Sequence, residues 1–144
     1  MQAYKRPESV LVVVHTKEGE VLLLERRTPS GYWQSVTGSL KDNETPHDAA
    51  IRELEEETGI KTADIEDCGI TNRFEIVSEW KARYAPEVTH NTEHVFQLLL
   101  DQRVNITLND HEHVAYAWLP KEEAVRKASS STNREAIRTL VENK

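Results

Sequence analysis

Between Gly38 and Ile60 the chain reads GSLKDNETPHDAAIRELEEETGI, and this segment constrains the fold more than any other. Thr45 can cap a helix N-terminus. Pro46 suits the first helical position, where no N–H is needed, and Asp48 completes a capping-box pattern. Gly59 stops the helix as a left-handed C-terminal residue. Ala50, Ile51 and Leu54 line a face able to pack on a sheet. The adjoining face is acidic. At about 100° per residue, Glu53, Glu56 and Glu57 point within roughly 100° of one another. Like charges that close destabilise a helix unless a cation sits among them. Hard oxygen ligands favour Mg2+, with Mn2+ as the alternative ion. In isolation, ELEEE is more often a solvated acidic face.

The remainder supplies the sheet such a helix needs. Residues 9–15 (SVLVVVH) and 20–26 (EVLLLER) are β-rich runs joined by Thr16-Lys17-Glu18-Gly19, which reads as a hairpin. Residues 33–37 form a short predicted strand ending at Gly38. Further strands are expected at 74–79, 93–100 and 114–119, and helices at 121–127 and 133–142. Strands before, beside and after one central helix point to a mixed α/β sandwich, not a repeated βα barrel.

Composition narrows the function classes. With 144 residues, 38% hydrophobic and 30% charged, the chain suits a single domain over 1–144 with its own core. No repeat, low-complexity tract or linker interrupts it. A single cysteine, Cys68, excludes an internal disulfide framework and fits a reducing cytoplasm. The N-terminal MQAYKRPESV lacks the apolar core of a signal peptide, and no apolar run approaches membrane-spanning length. Net charge −7 argues against general affinity for nucleic acid or anionic membranes. It is compatible with a small anionic substrate held by metals and a few local cations. Nothing in the pattern specifies an oligomeric state.

Gly38, Glu44, Arg52, Glu53, Leu54, Glu56, Glu57, Gly59 and Ile60 fill every fixed position of one long motif. It runs glycine, five residues, glutamate, seven residues, Arg-Glu-aliphatic, any residue, Glu-Glu, any residue, Gly-aliphatic. On these residues the chain resembles the Nudix family, hydrolases of nucleoside diphosphates linked to another moiety. The resemblance implies an α/β/α sandwich with a mixed sheet, in which this box forms a loop–helix–loop metal site. With the box complete, metal binding outweighs the solvated-face reading.

Stretches outside the box narrow the resemblance. YKRPESVLVVV (4–14), LLERR (23–27), YWQSVTGS (32–39), FEI (74–76), RYAPEVTHNTEH (83–94), AYAWL (115–119) and STNREAI (131–137) are similar to a bacterial branch of the family. That branch removes pyrophosphate from 7,8-dihydroneopterin triphosphate in folate biosynthesis. The implied reaction is Mg2+-dependent cleavage between the α and β phosphates, leaving dihydroneopterin monophosphate and pyrophosphate. Two other readings compete: a Nudix pyrophosphohydrolase of (deoxy)nucleoside triphosphates, and a non-enzymatic binding module on the same fold. Retention of Arg52-Glu53 and Glu56-Glu57 argues against the second.

The expected roles follow from the chemistry. Dense negative charge on a triphosphate repels attacking water until cations neutralise its oxygens. Glu53 and Glu57, at i and i+4, can each offer an oxygen to one metal, with Glu56 completing or bridging the site. Arg52 belongs to the same catalytic set, bracing loop and helix through Glu44. Gly38 and Gly59 are expected to supply backbone freedom at the two bends. The resemblance adds Glu112 as a metal ligand. Glu56, Glu57 and Glu112 are all candidates for the base. The resemblance also assigns Lys5, Arg26, Thr37 and Ser130 to substrate contact. The same resemblance places Phe74, Glu75, Ile76 and Val77 on a substrate-lining strand, where an aromatic can flank the pterin ring. Ordinary alternatives are a surface lysine for Lys5, a strand-end salt bridge for Arg26, backbone satisfaction for Thr37 and core packing for Ile76 and Val77. Trp33, Trp80, Tyr84 and Trp118 are large enough to stack on the base, although most tryptophans are structural, and the spacing of His111 and His113 specifies no metal site. The loop 101–113 and Lys41-Asp42-Asn43 depart from the usual family pattern.

Overall fold

Valine and leucine runs buried on both faces set the frame. In Glu8–Thr16 (β1) every residue after the first is buried, as are Val21 to Leu24 in Glu20–Arg26 (β2). A strand covered on both sides reads as a continuous apolar run. The computed structural model describes residues 4–142; of the domain expected over 1–144, residues 1–3 and 143–144 lie outside that description.

Further strands are Trp33–Gln34 (β3), Val36–Ser39 (β4), Glu66–Glu75 (β5), His90–Leu100 (β6) and His113–Pro120 (β7). The sheet runs β3-β2-β1-β6-β5, with β4 on β1 and β7 on β2. It is mixed: β1 pairs parallel with β6, and antiparallel with β2 and β4. Alternate residues separate into two cores. Val10, Val12, Leu22, Leu24 and Phe96 pack with Ala49, Ala50 and Leu54 of the helix Pro46–Thr58 (α1). Leu11, Val13, Leu23 and Val95 pack with Ala124 of Lys121–Lys127 (α2) and Ala136 and Ile137 of Ser131–Leu140 (α3). The expected α/β/α sandwich is the observed architecture. Among the described residues no helix is long and apolar enough to cross a membrane.

Two expected strands differ from the observed ones. The run 33–37 splits because Ser35 leaves the ladder: its backbone N–H donates to Asn133 Oδ1 at 2.8 Å, and Asn133 Nδ2 donates to Ser35 Oγ at 2.9 Å. Consequently β3 pairs with β2 while β4 pairs with β1. The strand expected at 74–79 begins much earlier and stops at Glu75, and a 3-10 helix over Ser78–Arg83 follows. As an edge strand β5 alternates between exposed and half-buried residues, too polar to announce itself.

Candidate active site

The capping signals place the acidic face against β4. Thr45 Oγ1 accepts from Asp48 N–H at 3.1 Å, and Gly59 closes α1 with φ 79° and an N–H donated to Glu55 O. Between those ends Glu53 turns onto the sheet. A Cβ on Gly38 would lie 2.1 Å from Glu53 Cδ. Gly38 sits inside β4 and is absent from the glycines with positive φ. The expectation that Gly38 supplies backbone freedom is therefore corrected: a side chain there would occupy the space of the Glu53 carboxylate. Gly59 does meet that expectation.

Arg52 organises the loop and the helix. Its Nε and Nη2 donate to Glu44 at 2.8 and 2.9 Å, a bidentate pair. Nη2 also donates to Ser39 O at 3.1 Å, and Nη1 to Glu53 at 2.7 Å and Glu56 at 3.2 Å. The guanidinium holds the Glu44 carboxyl down at about 2 and is itself raised by Glu44 and Glu53. Glu44 in turn accepts from Lys41 N–H at 2.8 Å, so the 41–44 loop is fixed to α1. Arg6 ties the same loop to β1 by donating to Lys41 O, Glu44 O and Glu8.

Glu57 lies deeper. It is 1% exposed, and neither carboxylate oxygen has a hydrogen-bond partner. Burial, then the neighbouring Glu53 carboxyl, then Glu112 push its pKa well above the usual carboxylate range. The Thr37 backbone N–H pulls the other way without closing a hydrogen bond. His113 of β7, 2% exposed, faces Glu57 with Nε2 3.7 Å from Oε1. That is too long for a hydrogen bond. Burial and Arg26 push the His113 pKa down to about 4, and both its ring nitrogens lack partners.

A cation group borders these carboxylates. The Lys5 ammonium is lowered first by burial and then by Arg83 and Arg26, against the attraction of Glu53 and Glu112. Arg26 feels burial first, then Arg83, and is favoured by Glu112 and Glu57. Lys5, Arg26, Arg83, Glu53, Glu57 and Glu112 therefore occupy one electrostatic neighbourhood. Its geometry comes from three places: Lys5 N–H donates to Arg83 O at 2.8 Å, Arg26 N–H to Tyr32 O, and Arg27 N–H to Glu112 O. Arg26 also stacks on Trp80 at 5.6 Å, and Trp80 meets Tyr32 edge-on at 5.5 Å.

The other residues expected at the substrate have protein partners or places of their own. Thr37 spends its hydroxyl on Val10 O at 2.9 Å. Ser130 is the N-cap of α3, its Oγ accepting from Asn133 N–H at 3.1 Å. Ile76 is buried and Val77 exposed, while Phe74 and Glu75 end β5. Among the described residues, neither Phe74 nor Glu75 makes a ring or charge contact with the cation group. Trp33 packs in the α2/α3 core under Lys127, and Trp118 against the α1 core, as structural tryptophans do. Trp80 packs instead against Arg26 and Tyr32, and no sequence pattern marks Arg83, Tyr32 or His113 as neighbours of the acidic face. Arg83 is an exposed arginine in a polar stretch, and no local signal marks it.

Among the described residues no three His, Cys, Asp or Glu side chains form a ready-made ligating group. Arg52 takes up oxygens of Glu53 and Glu56. A divalent cation nevertheless fits the residues present, because the two Glu57 oxygens are buried acceptors without a donor, one helical turn from Glu53.

The model of the NUDIX domain matches residues 5–140. Dihydroneopterin triphosphate diphosphatase of Escherichia coli is 43% identical over 99% of this chain and 97% of its own length. Its counterpart from Haemophilus influenzae is 37% identical over 99% of this chain and 92% of its own length. The solved E. coli dihydroneopterin triphosphate pyrophosphohydrolase superposes with a TM-score of 0.91, at 43% identity, covering 97% of this chain and 98% of that one.

Proposed function

This chain belongs to the Nudix family, and from that premise we propose that it is a metal-dependent pyrophosphohydrolase of 7,8-dihydroneopterin triphosphate. Dihydroneopterin monophosphate and pyrophosphate are the products. The observation that carries the reading is the buried, donorless carboxylate of Glu57 beside the cations Lys5, Arg26 and Arg83. Carboxylates for a metal and cations for phosphate lie side by side, as attack on a triphosphate requires. The extent of likeness to relatives that act on the pterin triphosphate supports the substrate.

Each group then has a task. Glu53 and Glu57 would hold the cation, with Glu56 on the solvent side and Glu112 on the turn before β7. Nudix hydrolases use divalent metals; a bound Mg2+ would supply charge to neutralise phosphate oxygens and acidify coordinated water. Arg52 keeps Glu53 seated and the 41–44 loop closed on the helix. Lys5, Arg26 and Arg83 bind the phosphate chain, and Tyr32 and Trp80 present ring surface to the pterin. One Nudix domain over 1–144 suffices for this chemistry, and the free thiol of Cys68 is in keeping with a cytoplasmic setting.

The test is product identity together with a substrate panel. Phosphorus NMR of the reaction with Mg2+ is expected to show pyrophosphate as the first product. The kcat/KM for the pterin triphosphate is expected to exceed that of every dNTP. Two orthophosphates released in sequence, or a dNTP value equal to the pterin value, would overturn the proposal.

A further inference from the structure

On the α2/α3 face of the sheet, β6 carries a second buried carboxylate that metal binding leaves unused. Glu93 is 5% exposed and stands opposite Ser9 of β1 and Asn72 of β5. It shares its face with Val95, which packs in the α2/α3 core, and with Asn91. Glu93 Oε1 accepts from Asn72 Nδ2 at 3.2 Å, and the Thr132 hydroxyl faces the carboxylate from α3. Asn91, 3% exposed, donates its Nδ2 to Ser9 Oγ at 2.8 Å, while its Oδ1 has no partner. Two buried acceptors, one of them anionic, therefore follow each other along the strand. Among the described residues no lysine, arginine or histidine forms a salt bridge with Glu93, so its burial is only partly compensated.

Tyr32 connects this carboxylate to the cation group. Its neighbour Trp33 exchanges hydrogen bonds through its backbone with Ser129, just before α3, the helix from which Thr132 faces Glu93, and its own ring meets Trp80, on which Arg26 stacks. A flat ring lying on Tyr32 with its phosphate tail along Arg26 would turn its opposite edge toward Glu93. The edge that satisfies a carboxylate carries two adjacent N–H donors. A 2-amino-4-oxopyrimidine has them: the ring N–H and the exocyclic amino group. Adenine and cytosine instead turn a ring lone pair toward the carboxylate, which repels it.

We propose that Glu93 is the specificity-determining acceptor for the 2-amino-4-oxopyrimidine edge that a pterin and a guanine share. This deepens the triphosphate reading above and rests on it. Asn72 and Thr132 hold the carboxylate in place, and Tyr32 and Trp80 border the ring.

The experiment compares wild type and Glu93→Gln on dihydroneopterin triphosphate, dGTP and dATP. In the wild type dGTP is expected to exceed dATP. In Glu93→Gln, kcat/KM for the pterin triphosphate and for dGTP falls roughly 10- to 100-fold, as for loss of one bidentate pair, and dATP holds. An equal fall for all three substrates, or an unchanged dGTP-to-dATP ratio, would overturn the inference. Binding of GMP and AMP, followed by tryptophan fluorescence, gives the same comparison without turnover. Loss of the GMP preference in Glu93→Gln supports the assignment, and its retention refutes it. A wild type that prefers dGTP to dATP yet ignores the pterin triphosphate would sink the proposed substrate alone. Full pterin turnover by Glu93→Gln would sink the Glu93 assignment alone.

Discussion

Replacing Gly38 by alanine is expected to separate activity from stability. The new Cβ would meet Glu53 Cδ at 2.1 Å and its two oxygens at 2.3 and 2.5 Å. Ordinary carbon contacts begin near about 3.5 Å, so the carboxylate must retreat by well over an ångström. Those three nearest atoms all belong to the end of one flexible side chain, and the strand backbone can stay where it is. The retreat breaks the 2.7 Å bond from Arg52, a loss on the order of 1 kcal/mol for a partly solvated pair. Alanine in a strand recovers about 0.5–1 kcal/mol over glycine, so the net change in stability is small. Function has no such offset, because a ligand misplaced by about 1 Å costs on the order of 100-fold in rate. Thermal melting without metal should change by a few degrees at most. The kcat at saturating Mg2+ should fall about 100-fold, and the Mg2+ requirement should rise. A kcat within threefold of wild type at the wild-type Mg2+ requirement would refute the reasoning that Glu53, seated on Gly38, acts as a ligand. A melting point lowered by tens of degrees would show that Gly38 serves the backbone after all.

Glu57→Met should raise the metal-free melting temperature, since removing a buried donorless carboxylate is worth about 1–3 kcal/mol, and should lower turnover at least 100-fold; a less stable variant would contradict the burial argument. Its raised pKa means that ionisation above about pH 4.5 costs the fold, so the gain from methionine is expected to grow from pH 4.5 toward neutrality. The Glu44 carboxyl, held at about 2 by Arg52 against an ordinary 4.5, has the opposite sign: its pairing contributes fully above pH 4.5 and is lost as pH falls toward 2. Urea unfolding of wild type and Glu44→Gln should therefore converge below pH 4.5, and a constant gap down to pH 2 would exclude the ion pair as the cause. Arg83→Ala should raise KM for the triphosphate about tenfold with kcat within threefold, and an unchanged KM would remove Arg83 from the phosphate group.

Much of the site could be read without coordinates, because its signals are local. Thr45, Pro46 and Gly59 bracket α1, and the i, i+4 spacing of Glu53 and Glu57 makes them neighbours whatever the rest of the chain does. The valine and leucine runs of β1 and β2 announce buried strands in the same way. Other features depend on partners far along the chain. Ser35 breaks the strand at 33–37 because Asn133 takes its N–H. That α3 begins on Ser130, whose hydroxyl caps it, shows only once the helix is in place. Arg83 comes beside Lys5 because its carbonyl pairs with the Lys5 N–H, and His113 comes to face Glu57 because β7 pairs with β2. By itself the sequence determined that carboxylates would gather on one helix face and call for a cation. Only the tertiary structure decided which of them is sealed from water, which cations stand opposite, and which residue must be glycine to leave them room. Burial and close approach are properties of the packed chain, and one stretch of residues does not contain them.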